Sequence, residues 1–267
     1  MYNLAPFYKP NKELSMKSMF LVFAFFITFS LATSQDAPKP PEKKAWSHST
    51  GAGLIITSGN TETTTANLSH NSTWESGKNK LTFSLNGAYG VQEKTDASGN
   101  DYKEEFVNNF NEKGQFNRNF SDKFYWYVSE SAEVDKIVNL EYRLTVGPGV
   151  GFNVLKSDLF KLDFELGAVY INQKFEDIDS EDNISARIGE KFNWKISGNA
   201  NLWFNTEILL NVEESDDYRA NFELGIDVKI NQNWLIRSTI TDKFYNNAPD
   251  PLEKNDIIFM TSIVFKY

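Results

Sequence analysis

The sequence predicts an all-β chain, a transmembrane antiparallel up-and-down β-barrel of about twelve strands. Three observations carry this. From Trp46 to the C-terminus, apolar and polar residues alternate with period two, the spacing of strands with two unlike faces. The connections between these segments are alternately short and long, as in barrels with tight turns at one end and longer loops at the other. The chain is also 15% aromatic, with 22 Phe, 11 Tyr and 6 Trp, residue types that favour strands and membrane interfaces. A mean hydropathy of −0.45 would suit a water-soluble domain. In a barrel wall, however, lipid-facing and lumen-facing residues alternate, so the average is hydrophilic.

Residues 1–45 stand apart from this pattern. Lys17, an apolar run over residues 19–31 and then Ala32, Thr33 and Ser34 form the charged, hydrophobic and small-residue regions of a secretory signal. Cleavage is expected near Ser34, and the apolar run is too short for a spanning helix. Met16 followed by Lys17 is a more usual signal start, so residues 1–15 read as an extension ahead of the true start. The expected organisation is a signal at 1–34, a periplasmic tether at 35–45 extended by Pro38, Pro40 and Pro41, and a barrel at 46–267. Without residues 1–34 the chain carries 24 Lys and Arg against 35 Asp and Glu, a net charge of −11. Such a balance argues against nucleic acid as a partner. The chain has no cysteine, which excludes disulfides, thiolate metal sites, thiol catalysis and an N-terminal lipid-modified cysteine.

Two central segments show the alternation plainly. Tyr142, Leu144, Val146, Pro148, Val150, Phe152 and Val154 share one face, with Arg143, Thr145, Gly147, Gly149, Gly151 and Asn153 on the other. Pro148 and the three glycines suggest a bulge or a close backbone approach inside the lumen. Tyr218, Ala220, Phe222, Leu224, Ile226, Val228 and Ile230 alternate in the same way with Arg219, Asn221, Glu223, Asp227 and Lys229. Tight-turn compositions occur at 76–78, 121–123, 156–158, 197–199 and 231–233. Longer loops are expected at 58–62, 95–101, 136–139, 176–182, 213–217 and 246–254. A first strand leaving the periplasm at Trp46 puts every short turn on the periplasmic side. Trp74, Phe120, Phe124, Phe160, Trp194, Trp234 and Tyr267 then form one periplasmic aromatic girdle.

The last stretch closes the pattern. Ile257, Phe259, Thr261, Ile263, Phe265 and Tyr267 make a face that ends on the terminal aromatic residue. This resembles the C-terminal assembly signal of outer-membrane barrels, which implies the barrel-assembly machinery as a partner, outer-membrane lipid as surroundings and the outer membrane as location. Gly51, Gly53 and the Thr57-Ser58-Gly59-Asn60-Thr61 turn, opening an array of amphipathic strands, resemble the start of the domain of unknown function 481 family. That family includes salt-induced outer-membrane proteins. The resemblance covers about residues 46–267 and implies location and fold, with no catalytic residues to carry over.

Three constellations are candidates for chemistry. A first hairpin pivoting on Asn60 sets His48 against Ser72 and His70 against Thr50, a Ser/His pairing of the kind an outer-membrane lipid hydrolase uses. All four point to lipid near the periplasmic end with no acid to orient the imidazole, so a place in the girdle is the simpler role. On the lumen side, Glu105, Glu133, Glu141, Asp163, Glu165, Glu207, Glu223 and Asp227 balance Lys103, Lys113, Arg143, Arg187, Lys191, Arg219 and Arg237. Hairpin register pairs Glu133 with Arg143 and Asp227 with Arg237, and no one-sided basic ladder for an anion filter appears. The loop carrying Glu176, Asp177, Asp179, Glu181 and Asp182 offers oxygen ligands for a divalent cation; no other cofactor is expected. The expected role is a passive channel or envelope-structural protein, with no catalytic residues; the competing class is a lipid hydrolase using His48 with Ser72, or His70. Barrels of eight strands are filled by side chains and those of sixteen carry water, so twelve leaves pore or plug open.

Overall fold

The computed structural model describes residues 46–57, 62–249 and 253–267; the expected signal and tether, the turn at 58–61 and part of the loop at 246–254 lie outside these. Twelve strands follow one another: β1 (Trp46–Thr57), β2 (Thr63–Ser76), β3 (Asn79–Thr95), β4 (Asp101–Asn119), β5 (Phe124–Asp135), β6 (Leu140–Lys156), β7 (Phe160–Phe175), β8 (Glu181–Lys195), β9 (Ala200–Asn211), β10 (Tyr218–Lys229), β11 (Trp234–Tyr245) and β12 (Asn255–Lys266). Each pairs antiparallel with its sequence neighbours, and β12 returns to β1, closing a twelve-stranded transmembrane up-and-down barrel. Closure satisfies every strand edge inside the wall, which a membrane requires. At the seam, His48 N–H donates to the Tyr267 carbonyl at 3.1 Å and Tyr267 N–H returns a bond to His48 at 3.0 Å. The terminal aromatic residue is thus the last rung of the closing ladder.

Short turns are built by side chains that replace missing backbone partners. Ser121, Ser157 and Ser197 Oγ and Asn231 Oδ1 each accept the N–H of the residue three positions on, at 3.2, 2.9, 3.0 and 3.0 Å. The remaining short turn uses Gly77 at φ +56°, a left-handed conformation open to glycine. Two longer loops place Asn139 and Asp177 at positive φ, as these residue types tolerate. In the loop after β3, the backbone N–H and then the side-chain amide of Asn100 hold the Asp96 carboxyl below its ordinary pKa.

Outside, the wall is apolar. Leu54, Leu68, Leu166 and Phe259 are 58–63% exposed in the isolated chain, a surface that suits hydrocarbon rather than water. Aromatic side chains of the outer face meet one another at the short-turn end. Phe160 stacks on Trp194 at 5.8 Å, Phe124 meets Phe152 at 4.8 Å, and Trp234 meets Phe265, which stacks on Tyr267. Beyond the seam, Trp46 of β1 and Trp74 of β2 continue this row, 6.5 Å apart, and Phe120 is exposed.

Candidate functional site: the barrel lumen

Side chains from the inner face build two polar layers with an apolar filling between them. The first lies near the long loops. Lys243 Nζ of β11 meets Glu133 Oε1 of β5 at 2.5 Å, and these strands are six apart either way round the ring. The pair therefore spans the lumen. Arg143 Nη1 donates to the other Glu133 oxygen at 3.0 Å, while Arg143 Nε and Arg219 Nη2 both donate to Gln173 Oε1 at 3.0 Å. Tyr245 lies under both guanidinium groups, 4.1 Å from Arg219 and 5.9 Å from Arg143.

The second layer, toward the short turns, is centred on Glu165 of β7, whose side chain is 0% exposed. Its carboxylate accepts from Gln115, Tyr125, Arg187 and Lys191 at 2.8–2.9 Å. Arg187 also donates to Glu207 at 2.6 Å and Tyr127 at 2.7 Å. This is the arrangement a buried charge needs: opposite charge together with several directed donors. Glycines make room for it. A methyl group on Gly149 or Gly151 of β6 would overlap the rings of Tyr127 and Tyr125 respectively. The close backbone approach expected from the glycine run is thus a recess holding two tyrosines.

Between the layers, Val169, Ile171 and Leu209 pack together from β7 and β9, while Leu140 and Phe175, paired beyond Gln173 toward the long loops, are also buried. The β6–β9 side of the lumen is thereby filled. The β2–β4 wall presents Asn67, Ser69, Asn71, Ser84, Asn86, Asn109 and Asn111 to a cavity of about 960 Å³, which Asn205, Glu207, Glu223, Thr239 and Ser262 of β9–β12 also line. A further ion pair lies between the two sides: Arg237 grips Asp227 with two bonds of 2.7 Å and rests over the Trp203 indole, which occupies space that a side chain at Gly225 would take.

The lumen pairs expected from hairpin register, Glu133 with Arg143 and Asp227 with Arg237, are directly opposed in the ladders and bonded. Three expected lumen charges are elsewhere. The register shifts between Gly90 and Val91, and beyond that bulge Glu105 accepts from Tyr89 on the outer face while Lys103 pairs with Glu93. A second shift between Leu140 and Tyr142 turns Glu141 to Lys174 on the outside. One extra residue in a strand exchanges the faces of all that follows. The sequence reading also missed Tyr125, Tyr127, Gln115, Gln173, Trp203, Lys243 and Tyr245. Their inward parity was available, but which of them meet across the ring depends on closure.

Two other candidates have clear placements. His48 and Ser72 are bonded at 2.8 Å and His70 and Ser72 at 2.9 Å, while His70 also bonds Thr50. His48 stacks between Trp46 and Tyr267 on the outer face, and among the described residues no carboxylate bonds either ring. The carboxylates at 176–182 form no metal-sized cluster among the described residues; Glu181 instead accepts from Gln173 at 3.5 Å. An unexpected pair stands on the outer face, where the Glu112 carboxyl of β4 lies against that of Glu130 of β5. No donor other than the facing carboxyl reaches either Glu112 oxygen or Glu130 Oε1.

A family model described as protein of unknown function, DUF481, matches residues 50–267. The chain belongs to this family. No curated protein matches the sequence. Among solved structures, the DUF481 barrel is similar to the translocator domain of autotransporter NalP from Neisseria meningitidis, with a TM-score of 0.42 and 12% identity over 94% of this chain and 95% of that one. It is also similar to the NanC porin, with a TM-score of 0.47 and 6% identity over 82% and 97% of the two chains. For the KdgM porin the values are 0.40 and 7%, over 83% and 96%.

Proposed function

We propose that this DUF481 protein is a passive channel of the outer membrane, assembled there through its C-terminal strand by the barrel-assembly machinery. The observation that carries this is the half-filled lumen: a polar cavity of about 960 Å³ inside a closed wall whose outside is apolar. A purely structural barrel would gain from filling that volume, because burial of side chains stabilises and a water-filled lumen does not. Uncatalysed passage needs no reacting group, and the charged lumen residues are engaged mainly with one another. Discrete conductance steps from purified protein in a planar bilayer support the channel, and their absence at high protein density refutes it.

The lipid-hydrolase alternative draws support from the hydroxyl of Ser72 lying between two imidazoles. It lacks a carboxylate to orient either ring, the part that stabilises an imidazolium in such sites. Phospholipid turnover by purified protein that disappears in His48→Ala or His70→Ala would favour it over the channel.

A further inference from the structure

We infer that the solutes admitted are small, uncharged and rich in hydroxyl groups, of the saccharide class, and that they pass along the β2–β4 wall. This rests on the channel reading above and concerns what the channel accepts.

The two sides of the lumen differ in chemistry. On the β5–β11 side the charges neutralise one another: Glu165 with Arg187 and Lys191, Glu133 with Arg143 and Lys243, and Asp227 with Arg237. Outside these pairs, Arg219 donates to Gln173 over the Tyr245 ring and Glu223 accepts from Asn205, so these two charges are held by neutral partners. The β2–β4 side carries amides and hydroxyls, with Asn71, Asn86 and Asn111 at its centre. Each amide offers two donors and an accepting oxygen, so both the hydrogen and the oxygen of a sugar hydroxyl find partners on one surface. Asn86 Nδ2 donates to Asn111 Oδ1 at 3.1 Å, leaving the remaining donors and acceptor of the pair for a solute. The charged groups on this wall are Lys113, which Glu133 and Glu207 offset electrostatically, and Glu75 with Lys80, which pair with each other at 3.4 Å nearer the short turns. Uncharged polar side chains attract a hydroxylated solute weakly, which lets it enter and leave.

The geometry of the blocked half fixes the path. Lys243 and Glu133 divide the lumen from β11 to β5, and Val169, Ile171 and Leu209 fill the β6–β9 side. The open route therefore runs on the other side of that bar, over the amides.

The test is liposome swelling, with conductance recorded from the same purified full-length barrel. Vesicles with the barrel should swell in an isosmotic neutral hexose or disaccharide and more slowly in a sugar acid of similar size. Conductance without swelling in any neutral sugar overturns the inference and leaves the channel standing; loss of both conductance and swelling refutes the channel itself. Replacing the pair by Asn86→Leu and Asn111→Leu should slow neutral-sugar swelling several-fold. Swelling at the wild-type rate from that folded variant overturns the path. Should the leucine variant fail to assemble, Asn86→Asp with Asn111→Asp keeps the side-chain shape, and the reversal potential in a salt gradient should shift toward cations. An unchanged potential would overturn the path equally.

Discussion

Lys243 Nζ and Glu133 Oε1 stand 2.5 Å apart on strands that face each other across the full diameter of the barrel. No ladder hydrogen bond connects β5 and β11, so the pair is a strut made by side chains alone. It is also the boundary between the packed and open halves of the lumen. Both residues are about one quarter exposed or less, so water reaches the strut without dissolving it.

Removing the strut should widen the passage. Lys243→Met takes away the cross-lumen contact but leaves Glu133 its bond from Arg143. Single-channel conductance is expected to rise, with a stability loss of about 1–3 kcal/mol from the lost charge-assisted bond. A conductance equal to wild type would show that solutes do not pass this level beside the strut.

Glu165 should matter more to stability than to passage. Four donors from three strands converge on its buried carboxylate. Glu165→Ala leaves Arg187 and Lys191 short of a counter-charge, and about 3–5 kcal/mol of unfolding stability should be lost. Glu165→Gln keeps the shape and some acceptor capacity and should cost less. Denaturant unfolding followed by tryptophan fluorescence reads both, and equal losses would contradict the role given to charge.

Glu112 and Glu130 are predicted to destabilise the barrel. Their carboxyls meet on the outer face, where each has only the other as a side-chain hydrogen-bond partner. Glu112→Leu with Glu130→Leu replaces unsatisfied polar atoms with groups suited to lipid, and stability should increase by about 1–3 kcal/mol. A decrease on thermal unfolding in detergent would mean that the pair is supported by contacts that apolar side chains cannot make.

The outer face itself is tested by charge. Leu144 is exposed on that face, while Thr145 beside it lines the cavity. Leu144→Arg should cost about 2–4 kcal/mol near the midplane. A cysteine at position 144 should resist a membrane-impermeant thiol reagent that modifies one at 145; reaction at equal rates would place the register wrongly.

Much of this wall was legible in the sequence because period-two alternation and tight-turn composition are local signals. Hairpin register follows directly from them, which is why the sequence alone sets Glu133 opposite Arg143. Bulges were not legible: nothing in Gly90 or Leu140 announces an extra residue, and so Glu105, Lys103 and Glu141 were expected in the lumen. The filled half was hidden too. In β7 the sequence around Val169, Tyr170 and Ile171 is apolar on both faces, and alternation alone does not show that one of those faces lies inside the barrel. Contacts such as Lys243 with Glu133 depend on closure and stagger of the whole ring, which no local pattern contains.

The central claim, that solutes pass along the β2–β4 side of a half-filled lumen, is tested most directly by recording single-channel current while a thiol reagent is added. The chain supplies no native cysteine, so Ser84→Cys on the open wall and Ser185→Cys on the packed side each offer one target. The reagent should cut the current stepwise in the Ser84→Cys channel and leave the Ser185→Cys channel unchanged. Equal block of both channels, or block of the Ser185→Cys channel alone, would contradict the account.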